Sequence, residues 1–310
     1  MSRNKKSAPR SRRAPSKSRR PPSGNFKRFL RAFSLSAVSA FSIASCALNP
    51  QWRDDGLWRD GIPIEPLLAQ WAWPQEQPPA TPVASTGLYA QTSFAQCRQF
   101  FPEGRPPLVP SGAALRELCF SSFAILHGGR TKTPVFVAQR LNRRMIEQAR
   151  DIDRTDRFYA EARLPVAERA ELSDYRGSGY SRGHMAAAGD MHDAQAMAQS
   201  FSLANMVPQH QVHNAGAWNR IEQDTRKYVL RARGDVYVFT GPVYSDKPRT
   251  IGEGRVAVPE HLYKVVYDAA TGRNWVHWQE NGPDAVAGPP ITYADFVRRT
   301  GLHLLPQTGS

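Results

Sequence analysis

Beyond residue 115 the chain alternates apolar and polar positions in short runs. C-F-S-S-F-A-I-L-H (119–127) and P-V-F-V-A-Q-R-L (134–141) are β-branched and aromatic, and G-G-R-T-K-T separates them, which predicts a hairpin. Residues 142–151 predict a short helix and A-Q-A-M-A-Q-S (194–200) a helical turn or two. F-S-L-A-N-M-V-P-Q predicts a short buried strand that Pro208 ends. From Asn214 to Ala232, Trp218, Ile221, Thr225, Tyr228 and Val229 recur on one side of a helix, with Asn214 at its start as a preferred cap. Strands follow at 235–244, 261–268 and 274–279. Strands before and after one central helix define an α+β class with a mainly antiparallel sheet. No internal repeat is present.

Residues 50–112 show no such period and are rich in Pro, Gln, Trp and Gly. The expected organisation is a leader over 1–46, an irregular Pro/Trp-rich linker over 47–92, and one domain over 93–310, starting near Ser93. The tryptophans of the linker, Trp52, Trp58, Trp71 and Trp73, suit packing or a membrane-proximal place as well as stacking on bases.

A formal charge of +14 invites a polyanionic partner, but its location weakens the inference. Residues 1–31 hold twelve Lys and Arg and no acidic residue, leaving 29 basic against 27 acidic side chains elsewhere. After that basic run comes a short apolar, serine-rich stretch ending in I-A-S-C, the order of an export signal. Two forms stand open: simple cleavage, or a bacterial lipoprotein box in which Cys46 carries lipid and attaches the chain to a membrane. Export would place the protein in the periplasm, outside the cell, or lipid-anchored in the envelope. An Arg- and Ser-rich mitochondrial transit peptide is the alternative, and a plain basic arm the bland one. With Cys46 in the leader, Cys97 and Cys119 remain as an even pair. They read as a disulfide in an oxidising compartment, against two free buried thiols.

The chemistry concentrates in G-S-G-Y-S-R-G-H-M-A-A-A-G-D (177–190), where glycines precede an Arg-Gly-His triplet. Glycine lets a backbone turn sharply or approach a ligand closely, and Arg182 can only donate hydrogen bonds, so the partner expected there is an anion. Along the central helix Asn214, Trp218 and Glu222 stand at i, i+4 and i+8, with Asn and Glu on one face. Taken alone, Asn214 is a cap and Glu222 a solvated charge paired with Arg226. H-Q-V-H (210–213) puts two histidines three apart, but without a helical H-E-x-x-H pattern or a nearby cysteine it reads as surface or loop histidines rather than a zinc site, and so does His192.

In order and spacing, Ser181-Arg182-Gly183-His184, Phe201-Ser202-Leu203-Ala204-Asn205, the Asn214/Trp218/Ile221/Glu222 set and V-Y-V-F-T-G-P (236–242) resemble the DNA/RNA non-specific endonuclease family, the ββα-metal or His-Me finger nucleases, in its endonuclease G-like branch. The resemblance covers roughly residues 115–305, with its core from Asp174 to Glu222. It departs at Ser181, where the family usually has Asp, and at Ala187, where Pro is common.

The resemblance implies a ββα finger on the antiparallel sheet and a sugar-non-specific hydrolase of phosphodiesters in DNA and RNA, bound through their phosphates. Whether the chain forms a homodimer is left open by the sequence. It implies His184 as general base, Arg182 stabilising phosphate charge, Asn205 supporting the histidine or the water shell, and Asn214 as the single direct ligand of one Mg²⁺, with Mn²⁺ as a substitute. Glu222 would hold metal-bound waters, since Mg²⁺ keeps most of its own. Arg157 in D-R-F-Y-A-E-A-R is a further candidate for the phosphate. The alternative is a non-catalytic, nucleic-acid-binding envelope lipoprotein on the same fold.

Overall fold

The computed structural model describes residues 77–85 and 87–306. The leader, Cys46, the four linker tryptophans and most of the linker lie outside the described residues. A seven-stranded, wholly antiparallel sheet forms the centre, in the order β1 (Thr81–Pro82), β2 (Leu115–Cys119), β3 (Ala124–Gly128), β4 (Thr133–Leu141), β7 (Val236–Val243), β10 (His261–Asp268) and β11 (Asn274–Glu280). Two short pairs stand apart: β5 (Tyr180–His184) with β6 (Met206–His210), and β8 (Thr250–Ile251) with β9 (Val256–Ala257). The helices are α1 (Arg143–Gln148), α2 (Leu172–Tyr175), α3 (Ala194–Ser200), α4 (Gln211–His213, Asn214–Trp218 and Asn219–Val229 in succession) and α5 (Tyr293–Thr300).

Strand alternation explains how the sheet separates two cores. On β4, β7 and β10, Phe136, Ala138, Phe239, Tyr263 and Val265 face one way, onto Phe94, Phe101 and Phe296. Val137 and Leu262 face the other way, onto Met185, Phe201, Trp218 and Ile221. Val238 and Val266 share that second face and meet Ile146 and Val229. Each fully buried large side chain contributes roughly 1.5–3 kcal/mol, so the second core is what presses the finger onto the sheet. The class is therefore α+β with a mainly antiparallel sheet, as the pattern of runs implied.

Several local expectations change. The 119–127 run is not one strand: Cys119 ends β2, Phe120 N–H bonds back to Phe123 O at 2.9 Å, and Ala124 starts β3. β6 runs through Pro208 to His210 instead of stopping there. Pro208 lies on a strand paired only with β5, where a missing N–H is tolerated. Asn205 belongs to a 3₁₀ turn (Leu203–Asn205) that precedes β6. The ordered fold includes Thr81–Pro82 at the sheet edge, upstream of Ser93. Cys97 and Cys119 are bridged, with Cα atoms 5.7 Å apart, which ties the segment before β2 to the end of that strand.

The largest correction concerns α4. It runs through Gln211–His213, Asn214–Trp218 and Asn219–Val229 without a break, since His213, Asn214, Trp218 and Asn219 all have right-handed helical angles. The middle segment is a π turn. His210, not Asn214, stands at the N-cap, so Asn214 caps nothing. His213, expected at the surface, is fully buried against the Trp218 ring at 5.7 Å.

Candidate active site

β5 and β6 pair with Arg182 opposite Pro208 and His184 opposite Met206, and β6 leads directly into α4, giving a ββα finger. The glycines of the 177–190 run have separate tasks. Gly177 and Gly179 take positive φ (67° and 80°) where the chain turns into β5. At Gly183 the fully buried Gln209 side chain on β6 occupies the place a Cβ would fill.

His184 ends β5 with its ring between two aromatics, Phe158 at 5.7 Å and Phe201 edge-on at 5.0 Å. Its Nε2 is enclosed and has no hydrogen-bond partner among the described residues. Burial, with the Arg154 and then the Arg182 charge, pushes the imidazole down to about 3, so it is neutral at physiological pH and offers an acceptor nitrogen. Two guanidiniums flank it. Arg182 lies 4.0 Å over the Phe158 ring and has no hydrogen bond or ion pair among the described residues. Arg154 lies 5.0 Å over Phe201 and bonds Asp156 at 2.7 Å. Cation–π stacking thus aims both planar donor sets around one imidazole. Sequence reasoning named Arg157, which is exposed and outside this set. Two arginines three residues apart carry the same signal, and only the path of the chain between α1 and Phe158 separates them.

Asn205 is fully buried and occupied by backbone. Its Oδ1 accepts from Ala186 N–H at 2.8 Å, and its Nδ2 donates to Ala186 O and Ser200 O, both at 2.9 Å. All of its side-chain hydrogen bonds go to backbone groups. It fixes the strand end that carries His184, and Met185 N–H adds a bond to Asn205 O at 3.0 Å.

Asn214 is half-buried in the π turn, and its amide has no hydrogen-bond partner among the described residues. An ideal α-helix turns about 100° per residue, so positions 214 and 222 would sit about 80° apart around it. One i→i+5 turn absorbs about one residue and returns them to within about 20°. The π turn therefore puts Asn214 and Glu222 on one face.

Glu222 is half-buried, and burial pushes it up to about 7, opposed by Lys264 and Arg226 and reinforced by Asp190. Arg226 bonds Asp190 at 3.0 Å, so it is not the simple surface partner expected for Glu222. Among the described residues no group of three or more His, Cys, Asp or Glu could hold a metal ion. His213 Nδ1 instead meets Gln209 Nε2 at 3.2 Å. What α4 does offer is an unpartnered amide oxygen and, about two turns further along the same face, a carboxylate, a donor set that fits a hard cation that keeps most of its waters.

A neutral, enclosed histidine with two flanking guanidiniums, on a finger whose helix presents an amide and a carboxylate, is equipped to handle a phosphate ester. Residues 108–294, more than half of the chain, match the DNA/RNA non-specific endonuclease family, and the chain belongs to it. It is 38% identical over 160 residues to the mitochondrial nuclease EXOG of Homo sapiens, covering 48% of this chain and 43% of that protein. It is 35% identical over 164 residues to human mitochondrial endonuclease G (49% of this chain and 54% of that protein). Nuclease C1 of Cunninghamella echinulata var. echinulata is 36% identical over 167 residues (50% and 66%). The chain spans about half the length of the curated relatives it matches. Among solved structures, a chain of the EndoG/EndoGI complex superposes with a TM-score of 0.56 at 28% identity, covering 68% of this chain and 91% of the other.

Proposed function

We propose that this protein hydrolyses phosphodiester bonds in both DNA and RNA, with His184 as general base and with Mg²⁺ at Asn214. The observation that carries the reading is the enclosed, unpartnered Nε2 of a neutral His184 set between Arg154 and Arg182. In that position it takes a proton from the attacking water. Arg182 and Arg154, which can only donate, hold the phosphate oxygens. A bound phosphate also neutralises the two charges that push His184 down, so substrate binding strengthens the base when it is needed. Asn214 Oδ1 would hold the cation directly and Glu222 through its waters, and the cation would supply charge stabilisation on the phosphate and the departing oxygen. Recognition by phosphate contact accounts for indifference to sequence.

Relatives named as nucleases leave the non-catalytic binding protein without support. The mitochondrial designation of EXOG and endonuclease G favours the transit-peptide reading of residues 1–46 over envelope export, for which no finding speaks. The test is a time course on closed-circular plasmid and on RNA with Mg²⁺, and with the cation chelated. Nicking of the circle and cleavage of RNA, both lost on chelation, are expected, whereas two intact substrates overturn the proposal.

A further inference from the structure

The sheet face beneath α4 buries a lysine among side chains that are mostly apolar. Along β10, Leu262 and Val266 are buried against the finger side, and Lys264 shares their parity. Its side chain is 1% exposed. Its Nζ donates to Thr240 Oγ1 across the β7–β10 ladder at 2.8 Å and stands 5.3 Å from the centre of the Trp218 ring. A neutral hydroxyl and a π face do not offset the burial of an ammonium, which needs a counter-charge.

Two carboxylates reach this enclosure. Asp190, from the turn after β5, is held by Arg226 of α4 at 3.0 Å. Glu222 has no ion pair within salt-bridge distance among the described residues, and lies one turn beyond Trp218, where i and i+4 side chains meet. Lys264 stands over that same indole. From β11, His277 lies opposite Lys264 and is pushed down to about 4 by burial and then the Lys264 charge, so it adds no charge, and Asp224 of α4 faces it. With Arg226 on Asp190, the cation left for Glu222 is Lys264.

We propose that Lys264 is the buried counter-ion of Glu222 and thereby a positioning residue of the site: its charge, held beneath Trp218, anchors the Glu222 carboxylate on the face of α4 that carries Asn214. The electrostatics agree with the geometry. Burial works against both charged forms, and each group is the largest favourable charge acting on the other. The kinetic consequence rests on the cleavage proposed above, and the pairing itself does not.

The experiment is a double-mutant cycle on the metal-free full chain with Lys264→Met, Glu222→Gln and both together, followed by thermal unfolding. Each single variant strands one buried charged group, so each lowers Tm, Lys264→Met by about 6 °C or more. The double variant melts above both. Losses that simply add overturn the pairing. Should Lys264→Met alone fail to fold, recovery of a folded chain in the double variant reports the same coupling, and its failure overturns it. In cleavage assays Lys264→Met loses about tenfold or more in kcat with KM unchanged, because Lys264 is enclosed and meets no substrate. Wild-type kcat in that variant overturns the positioning role. A wild-type chain that cleaves nothing overturns the nuclease reading, while the melting cycle still decides the pairing.

Discussion

Asn205 clasps Ala186 from both sides, accepting its N–H at 2.8 Å and donating to its carbonyl at 2.9 Å, so that one buried amide splints the strand end carrying His184. Asn205→Ala would leave an N–H and two carbonyls buried and unpaired. Stability should fall by about 2–4 kcal/mol, read by urea unfolding. Because the clasp sets where His184 points, kcat should fall while KM for plasmid DNA stays close to wild type. An equal change in both would mean that Asn205 acts on binding.

His184→Ala should lower kcat by about 10² to 10⁴ and leave nucleic-acid binding nearly intact, because the ring serves the reaction more than the core. Steady-state cleavage and a gel-shift assay on the purified variant make the check. Turnover at the wild-type rate would remove His184 from the mechanism.

Asn214 lies inside α4, so its replacement cannot act by loss of a cap. Asn214→Ser should shift stability by no more than about 0.5 kcal/mol, the cost of an ordinary residue change within a helix. Mg²⁺-dependent cleavage should fall about tenfold or more, since serine shortens the reach of the oxygen. Asn214→Asp keeps an oxygen ligand but adds negative charge beside the phosphate, and should also lose activity. Unchanged Mg²⁺ dependence in the serine variant would end the assignment.

Acid should destabilise the metal-free chain. His127, His184, His213 and His277 are pushed down to about 4, 3, 4 and 4, in each case chiefly by burial. Unfolded, they titrate near 6.5. Their folded values lie below the unfolded one, so their contribution is full above pH 6.5 and is lost as the pH falls toward 4, where only the unfolded chain takes up protons. Glu222, pushed up to about 7, has the opposite sign: its contribution is full below its unfolded value near 4.5 and is lost as pH rises through 7. Four groups against one predict a Tm that falls from pH 6.5 to 4.5, with uptake of about three protons on unfolding. A flat or rising Tm over that range would contradict the assignment of these imidazoles as neutral.

Removing the Cys97–Cys119 bridge by paired Ser substitution should cost about 2–4 kcal/mol, as expected for a loop spanning 22 positions, with kcat unchanged. Peptide mapping without reductant should recover the linked pair. Free, alkylatable thiols in the native protein would count against it.

The strand position of His184 and the shared helix of Asn214 and Glu222 were legible because the motif lies in one short stretch of the chain. Strands β4, β7, β10 and β11 were legible from β-branched and aromatic runs. The start of α4 was not, because Gln211, Val212 and His213 follow a proline and offer no preferred cap, while Asn214 looks like one. The division of 119–127 was hidden because Phe120 and Phe123 stack at 4.4 Å and are as apolar as the strands they separate. Arg154 gains its place only when Phe201, distant in sequence, comes beneath it. Lys264 did leave a mark, as a charge at a position whose strand neighbours of equal parity are apolar, but the partner that explains it lies on another element.

The π turn has a consequence for how this helix tolerates change. Deleting a small residue such as Gly216, around which there is open space, would give α4 a regular hydrogen-bond ladder and a more comfortable backbone. It would leave Asn214 and Glu222 seven residues apart in a regular helix, still within about 20° of one another around it. Winding the same residues as a regular α-helix without a deletion would instead set the two side chains about 80° apart, so this helix can be straightened without turning them away from each other only by shortening it.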